Sequence, residues 1–253
     1  MSRHLRERLR RGDLLVGTWV KTPHPMICEA LGHSQLDVLC LDAEHSPFDR
    51  GAINDCLLAT RAASMPALVR TPSAAPEHIL NALDCGATGV VVPHVDSAEM
   101  AAAIARAAHY GAGGRGYAGS SRAAGYGTKR MASHLGDSAQ ETTVVAQIED
   151  LEALEVIDDI AAVDAVDCLF IGRIDLTVAL GADSPADAAV LNAVEQICLA
   201  GRKAGRAVGM FVSDMEEIPR WRSVGASLFL LASDHALMLQ SANGLAQRVR
   251  DSE

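Results

Sequence analysis

Rings are scarce in this chain. Aromatic residues make up 4% of its 253 positions, as four Phe, three Tyr and two Trp. A core so poor in large flat side chains has to be built from thin helices and β-branched strands, and Ala, Val and Leu are plentiful. Lysine is scarcer still, confined to Lys21, Lys129 and Lys203. No stretch approaches the roughly 18 apolar residues of a membrane span. The N-terminal SRHLRERLRRG has no apolar run of the secretory kind, and its basic residues, Arg3–Arg11, read as one face of a short solvated helix. Six cysteines, Cys28, Cys40, Cys56, Cys85, Cys168 and Cys198, stand apart in apolar contexts with no C-x-x-C pair. They read as reduced core residues of a cytoplasmic protein, not as disulfides or zinc ligands. Basic residues are outnumbered 22 to 32, a net charge of −10. Nucleic acid and anionic membrane surfaces are therefore excluded as partners in the absence of a local basic patch.

What is present is a repeat of short apolar runs, each followed by a helical pattern. The runs are Leu14–Val20, Leu36–Asp42, Pro66–Arg70, Gly89–Val95, Thr143–Ile148, Cys168–Gly172, Ala207–Val212 and Leu228–Ala232. They are almost continuously apolar, the mark of parallel strands buried on both faces. Helices are expected at Asp49–Ala63, at Ala75–Asp84 ending on Gly86, at Ser97–His109 with Asp96 as N-cap, and at Asp187–Ala200 running to Gly201. Eight such units in about 250 residues predict a single-domain α/β fold over residues 1–253, a (β/α)8 TIM barrel. A doubly wound open sheet is the alternative, and it normally uses fewer strands for this length.

One connection is long. Between His109 and Glu141 lies GAGGRGYAGSSRAAGYGTKR followed by a short helical piece. Gly111, Gly113 and Gly116 spell a formal G-x-G-x-x-G, but a dinucleotide fingerprint needs a strand before it and a helix after it, and this run has neither. It reads as a flexible cover over the barrel mouth, with Arg115 and Arg122 facing anions.

Catalytic groups of such barrels sit at the C-terminal strand ends. Strand two exits through Asp42-Ala43-Glu44-His45, strand three at Arg70, strand four at His94, strand five through Gln147-Ile148-Glu149-Asp150, and strand six through Gly172-Arg173-Ile174-Asp175. Glu149 and Asp175, carboxylates at neighbouring strand ends, suit a hard divalent ion such as Mg2+ or Mn2+. The alternative is that each simply meets a helix dipole. His45 follows Asp42 by three residues, so the carboxylate can orient the imidazole as a general base, or else cap the next helix. Arg70 presents a fixed charge to a carboxylate or enolate oxygen, or pairs with Asp42 or Glu44. Lys21 is the only lysine placed for imine chemistry.

LDAEHSPFDR at 41–50, VRTP at 69–72, DCGATGVVVPHVDSAEMA at 84–101, RGYAGSSRAAGYG at 115–127, QIED at 147–150 and FIGRIDLTVALG at 170–181 together resemble the metal-dependent, class II pyruvate aldolase family. That family includes 4-hydroxy-2-oxoheptane-1,7-dioate and 2-dehydro-3-deoxyglucarate aldolases and is related to citrate lyase β-subunits. The resemblance covers nearly the whole chain, in order. It implies a barrel whose last helix is exchanged between subunits, usually in a homohexamer built as a trimer of dimers. It further implies reversible cleavage of a 4-hydroxy-2-oxo acid to pyruvate and an aldehyde. By that likeness Glu149 and Asp175 hold the ion, with Co2+ and Zn2+ as further candidates, and Arg70 steadies the pyruvate enolate. His45, oriented by Asp42, moves protons at the aldol hydroxyl. Gln147 lies beside the ion's waters and Trp19 lines the pocket. Amides around Gly172, Arg173, Ile174 and Asp175 receive the carboxylate, and Asp84 enters from the adjacent subunit. Position 173 departs from the family's usual Pro. Arg173 there either pairs with an acidic neighbour or favours a more anionic substrate. Other readings on this fold are a CoA-thioester lyase, an oxaloacetate decarboxylase, and a non-catalytic barrel that binds oxo acids.

Overall fold

All eight apolar runs become strands: β1 Leu15–Val20, β2 Val38–Asp42, β3 Ala67–Arg70, β4 Gly89–Val92, β5 Thr143–Ile148, β6 Cys168–Ile171, β7 Ala207–Val212 and β8 Ala226–Ser233. The computed structural model describes residues 5–252; Arg3 of the basic N-terminal run lies outside them. The strands pair in parallel in chain order, and β8 returns to β1 to close the barrel. Successive side chains on a strand point to opposite faces, which divides the apolar residues into two layers. Leu15, Val38, Cys40, Leu68, Val145, Cys168 and Phe170 fill the interior. Leu39, Leu41, Val69, Val144, Ala146 and Ile148 face outward onto the helices. Small and branched side chains suffice for both layers, which accounts for the shortage of rings. All six cysteines are buried and free, and among the described residues no helix is long and apolar enough to cross a membrane.

Four local expectations are corrected. The N-terminal helix Leu5–Arg11 is not solvated: Leu5 and Leu9 join the interior layer and stop the N-terminal end of the barrel. Arg6 Nε donates to Asp167 Oδ1 at 2.8 Å and Arg10 Nε to the same oxygen at 3.0 Å. The helix Ala98–Ala108 is capped by Ser97 rather than Asp96: Ser97 Oγ accepts from Met100 N at 3.3 Å. The helix Ala188–Ala204 passes through Gly201 and stops at Gly205, which takes φ 68°. Gly201 is there for contact, since a β-carbon on it would stand 2.5 Å from Val208 Cγ2. β4 ends at Val92 rather than Val95, because His94 adopts φ 55° and turns the chain out of the sheet.

The glycine-rich connection is also displaced from its expected place. It joins the end of the helix Ala98–Ala108 to the start of β5, and a helix-to-strand connection must lie at the N-terminal face of the barrel, opposite the strand exits. Arg115 and Arg122 are buried there: Arg115 pairs with Asp84, and Arg122 Nη2 donates to Asn54 Oδ1 at 2.7 Å. It is no cover for this chain's own barrel mouth. The last helix, Asp234–Arg250, meets β8 and β1, and Asp234 alone of its residues is buried.

Candidate active site

Strand parity assembles the site. Trp19, Asp42, Arg70, Gln147 and Glu149 share the inward face with the interior apolar layer and continue it toward the C-terminal end. Above them opens a cavity of about 400 Å³, lined among others by Trp19, Lys21, His45, Arg70, Gln147 and Gly172. Asp175 reaches it from the first turn of the helix Arg173–Ala179, and Ile174, 53% exposed, stands on its rim.

Asp42 and Arg70 are register partners across β2 and β3. Arg70 therefore meets the carboxylate directly, with Nε at 2.9 Å and Nη2 at 2.8 Å from Oδ1. Its Nη1 lies 3.2 Å from Glu44 Oε2, and its guanidinium lies over the Trp19 ring, 4.3 Å from the centroid. Lys21 Nζ pairs with Asp42 Oδ2 at 2.9 Å. Burial pushes the Asp42 carboxyl up, but the charge of Arg70 with hydrogen bonds from Lys21 and the His45 backbone holds it below the usual carboxylate range. The expected contact between Asp42 and the His45 ring does not form. Asp42 Oδ1 accepts instead from the backbone N–H of His45 at 3.1 Å, while the imidazole lies 3.7 Å from Glu44 and projects toward solvent. A carboxylate three residues back reaches the turn's backbone before it can reach a side chain pointing outward.

Glu149, 2% exposed, is the buried carboxylate of the site. Gln147 Nε2 donates to its Oε2 at 2.5 Å and the His94 backbone N–H to its Oε1 at 2.9 Å. Burial raises its pKa against those two hydrogen bonds, and the charge of Asp175 adds to the rise. Glu44, His94 and Glu149 bring ligand atoms within 4.8 Å of one another. These residues fit a divalent ion. Glu149 is a buried carboxylate with no arginine or lysine paired to it among the described residues, and Gln147 Oε1 is buried with no hydrogen-bond partner among the described residues, an acceptor ready for an ion's water.

Arg173 is committed elsewhere. Its Nη1 and Nη2 donate to the two carboxylate oxygens of Glu217 at 2.6 and 3.0 Å, and Nε and Nη2 donate to the Pro185 carbonyl at 3.1 and 2.8 Å. Of the two readings of Arg173, the pairing with an acidic neighbour is the contact present, to Glu217. Asp84, at the far end of the helix Pro76–Asp84, is not among the residues lining this cavity. It borders a separate depression with Arg122 and Asn54.

The family model for HpcH/HpaI aldolase/citrate lyase matches residues 15–241. The chain belongs to this family. A hydroxypyruvate/pyruvate aldolase of Paraburkholderia phytofirmans (strain DSM 17436 / LMG 22146 / PsJN) is 36% identical over 97% of each chain. A 4-hydroxy-2-oxovalerate aldolase of Rhodococcus jostii (strain RHA1) is 31% identical over 96% of this chain and 94% of its own. Among solved structures, an HpcH/HpaI family protein from Burkholderia cenocepacia J2315 superposes with a TM-score of 0.93 at 32% identity, covering 98% of this chain and 99% of that one.

Within this HpcH/HpaI barrel, Glu44 and His94 are the site residues to which sequence reasoning assigned no chemistry. His94 lies 55 positions from Glu149, and Glu44 sits beside the more conspicuous His45. Strand-end position is the signal that finds both, when it is applied to every ionisable residue beyond an exit.

Proposed function

We propose that the protein is a divalent-metal-dependent aldolase that reversibly cleaves a 4-hydroxy-2-oxo acid to pyruvate and an aldehyde. The observation that carries this reading is the buried carboxylate Glu149, bordering the same polar strand-end face as the fixed cation Arg70. The only nearby lysine, Lys21, is tied to Asp42 at 2.9 Å.

Glu149 and Asp175 would hold the ion, of which Mg2+ and Mn2+ are the first candidates and Co2+ and Zn2+ the next. When bound, the ion supplies Lewis acidity to the 2-oxo and carboxylate oxygens of the substrate. Arg70, kept in place by Asp42 and Glu44, directs its guanidinium at the oxygen that becomes the enolate. Amides from Gly172 to Asp175 receive the substrate carboxylate, and Trp19 and Ile174 supply apolar wall. Proton movement at the aldol hydroxyl falls to His45, which takes the proton as the C3–C4 bond breaks. The bonding pair passes into the enolate, the aldehyde leaves, and a proton returned to C3 yields pyruvate.

Quaternary structure belongs to the same proposal. The helix Asp234–Arg250 leaves Met238, Leu239, Leu245 and Val249 50–67% exposed, apolar surface suited to a neighbouring subunit. Exchange of this helix in a homohexamer would cover that surface, and Asp84 of one subunit would enter the next site. Six reduced cysteines suit the cytoplasm.

Pyruvate release from a panel of 4-hydroxy-2-oxo acids, coupled to lactate dehydrogenase, tests the reaction. Release should stop on exhaustive chelation and return with added Mn2+ or Mg2+. Activity that survives chelation overturns the metal mechanism. Light scattering on the eluted protein tests the hexamer.

A further inference from the structure

Lys21 is clamped at its backbone and open at its ammonium. It is the first residue beyond β1, and its backbone N–H donates to Asp234 Oδ1 at 2.8 Å while that of Thr22 donates to Oδ2 at 3.0 Å. Asp234 is itself buried at the start of the last helix. The side chain therefore leaves a fixed point and lines the strand-end cavity, where Nζ stands 2.9 Å from Asp42 Oδ2 and the side chain keeps 32% exposure. An ammonium carries three N–H donors. Asp42 takes one, and no second acceptor for Nζ stands among the described residues. Two donors are left for whatever occupies the cavity.

In the closed ring of eight strands, β1 and β5 stand four strands apart whichever way the ring is followed. Lys21, at the exit of β1, is thus across the barrel mouth from Glu149, at the exit of β5. Pyruvate, in the reading above, takes the Glu149 and Gly172–Asp175 side with Arg70, and it fills only part of a cavity of about 400 Å³. The aldehyde half is left the remaining wall, formed by Phe211, Ser213, Ala232 and Ser233 at the ends of β7 and β8 together with Lys21. Charge decides which aldehyde suits that wall. Arg70 and Lys21 bring two positive charges, Asp42 and Glu44 two negative ones, and Arg173 is spent on Glu217. What Lys21 offers in surplus is hydrogen-bond donors, not net charge. We propose that Lys21 is a specificity-determining residue for the aldehyde half, its two remaining N–H donors bridging the carbonyl oxygen and a hydroxyl oxygen on the adjacent carbon. The acceptor it selects is a short 2-hydroxyaldehyde rather than an unsubstituted or acidic one. The inference rests on the aldolase reading of this cavity. The third N–H stays on Asp42, so Lys21 touches the substrate without forming a bond to carbon.

Addition of pyruvate to glycolaldehyde and to acetaldehyde, which differ by one hydroxyl group, reads the contact. Deuterium uptake into the pyruvate methyl group in D2O reads the enolate step with no aldehyde present. Lys21→Met keeps the length of the stem and removes the donors. It should lower kcat/KM for glycolaldehyde about 10–100-fold further than for acetaldehyde, the range for hydrogen bonds to a charged group, and deuterium uptake should fall no further than the acetaldehyde value. Lys21→Gln, which retains an amide N–H but no ammonium, should show the same pattern and covers a Met variant that fails to fold. An equal fall in both aldehydes and in deuterium uptake would show that Lys21 only supports Asp42, and no change in either aldehyde would show that it meets no substrate; each overturns the proposal while the aldolase reading stands. If the parent takes up no deuterium and adds pyruvate to neither aldehyde, the aldolase reading falls and the proposal with it.

Discussion

A β-carbon on Gly172 would stand 2.5 Å from Glu149 Oε2 and 2.6 Å from Glu149 Cβ. Glycine at the exit of β6 is therefore what lets the buried carboxylate of β5 stand where it does. Gly172 itself has φ −80° and ψ 69°, so its value is space rather than left-handed backbone.

Gly172→Ala should accordingly act on the ion site more than on the fold. Ion affinity by calorimetry is expected to fall about 10–100-fold, the range for lost support of a ligand. Urea unfolding should show a loss of about 1–3 kcal/mol, as for an overpacked contact. Unchanged affinity would mean that Glu149 is not the ligand.

Arg173 already spends its charge on Glu217, whose carboxyl is held below its usual range chiefly by the hydrogen bond from Arg173. Arg173→Pro should therefore leave the ratio of kcat/KM for acidic and neutral aldehydes unchanged. Glu217→Gln, which frees the cation beside the cavity, should raise that ratio. Steady-state kinetics on matched aldehydes separates the two, and a shift in Arg173→Pro alone would show that Arg173 meets the substrate.

Asp42 makes a pH prediction whose sign follows from its partners. Its folded pKa lies below the reference 3.8, so the unfolded chain binds the proton more readily. The stabilisation is fully present above the unfolded value and is lost as pH falls through the lower folded one. Asp42→Asn removes one partner of a buried pair and should cost about 3–5 kcal/mol near neutrality. In urea titrations the gap between parent and variant should close below about pH 4. A gap independent of pH would mean that the charge on Asp42 contributes nothing.

Lys21 Nζ is held 2.9 Å from the buried Asp42 carboxylate, and imine formation requires the amine free to attack a carbonyl. Borohydride with pyruvate should leave the protein mass unchanged. A trapped adduct on Lys21 would replace the metal mechanism with a Schiff base.

Much of the candidate site is legible in the sequence. Glu149, Gln147, Arg70 and Asp175 all follow from asking what stands at a strand exit, because a parallel barrel brings every exit to one face. The role of Asp42 was only half legible. Its spacing to His45 suggested a contact with the ring, but spacing along a chain does not say whether a carboxylate finds a side chain or a backbone N–H. The glycine-rich connection is not placed by composition, which suggests a lid; its position after a helix and before a strand puts it at the opposite face.

The sequence by itself determined the eight buried parallel strands and the polar residues beyond them. Continuous apolar runs can be buried only between layers, and a fixed strand-helix alternation leaves few ways to do that. Tertiary structure alone decided the partners. Closing the barrel set Asp42 in register with Arg70, turned His94 onto Glu149, and drew Arg173 to Glu217. These contacts join residues from 28 to 55 positions apart. Their distances depend on strand register and on two or three backbone angles, which no pattern of residue types encodes.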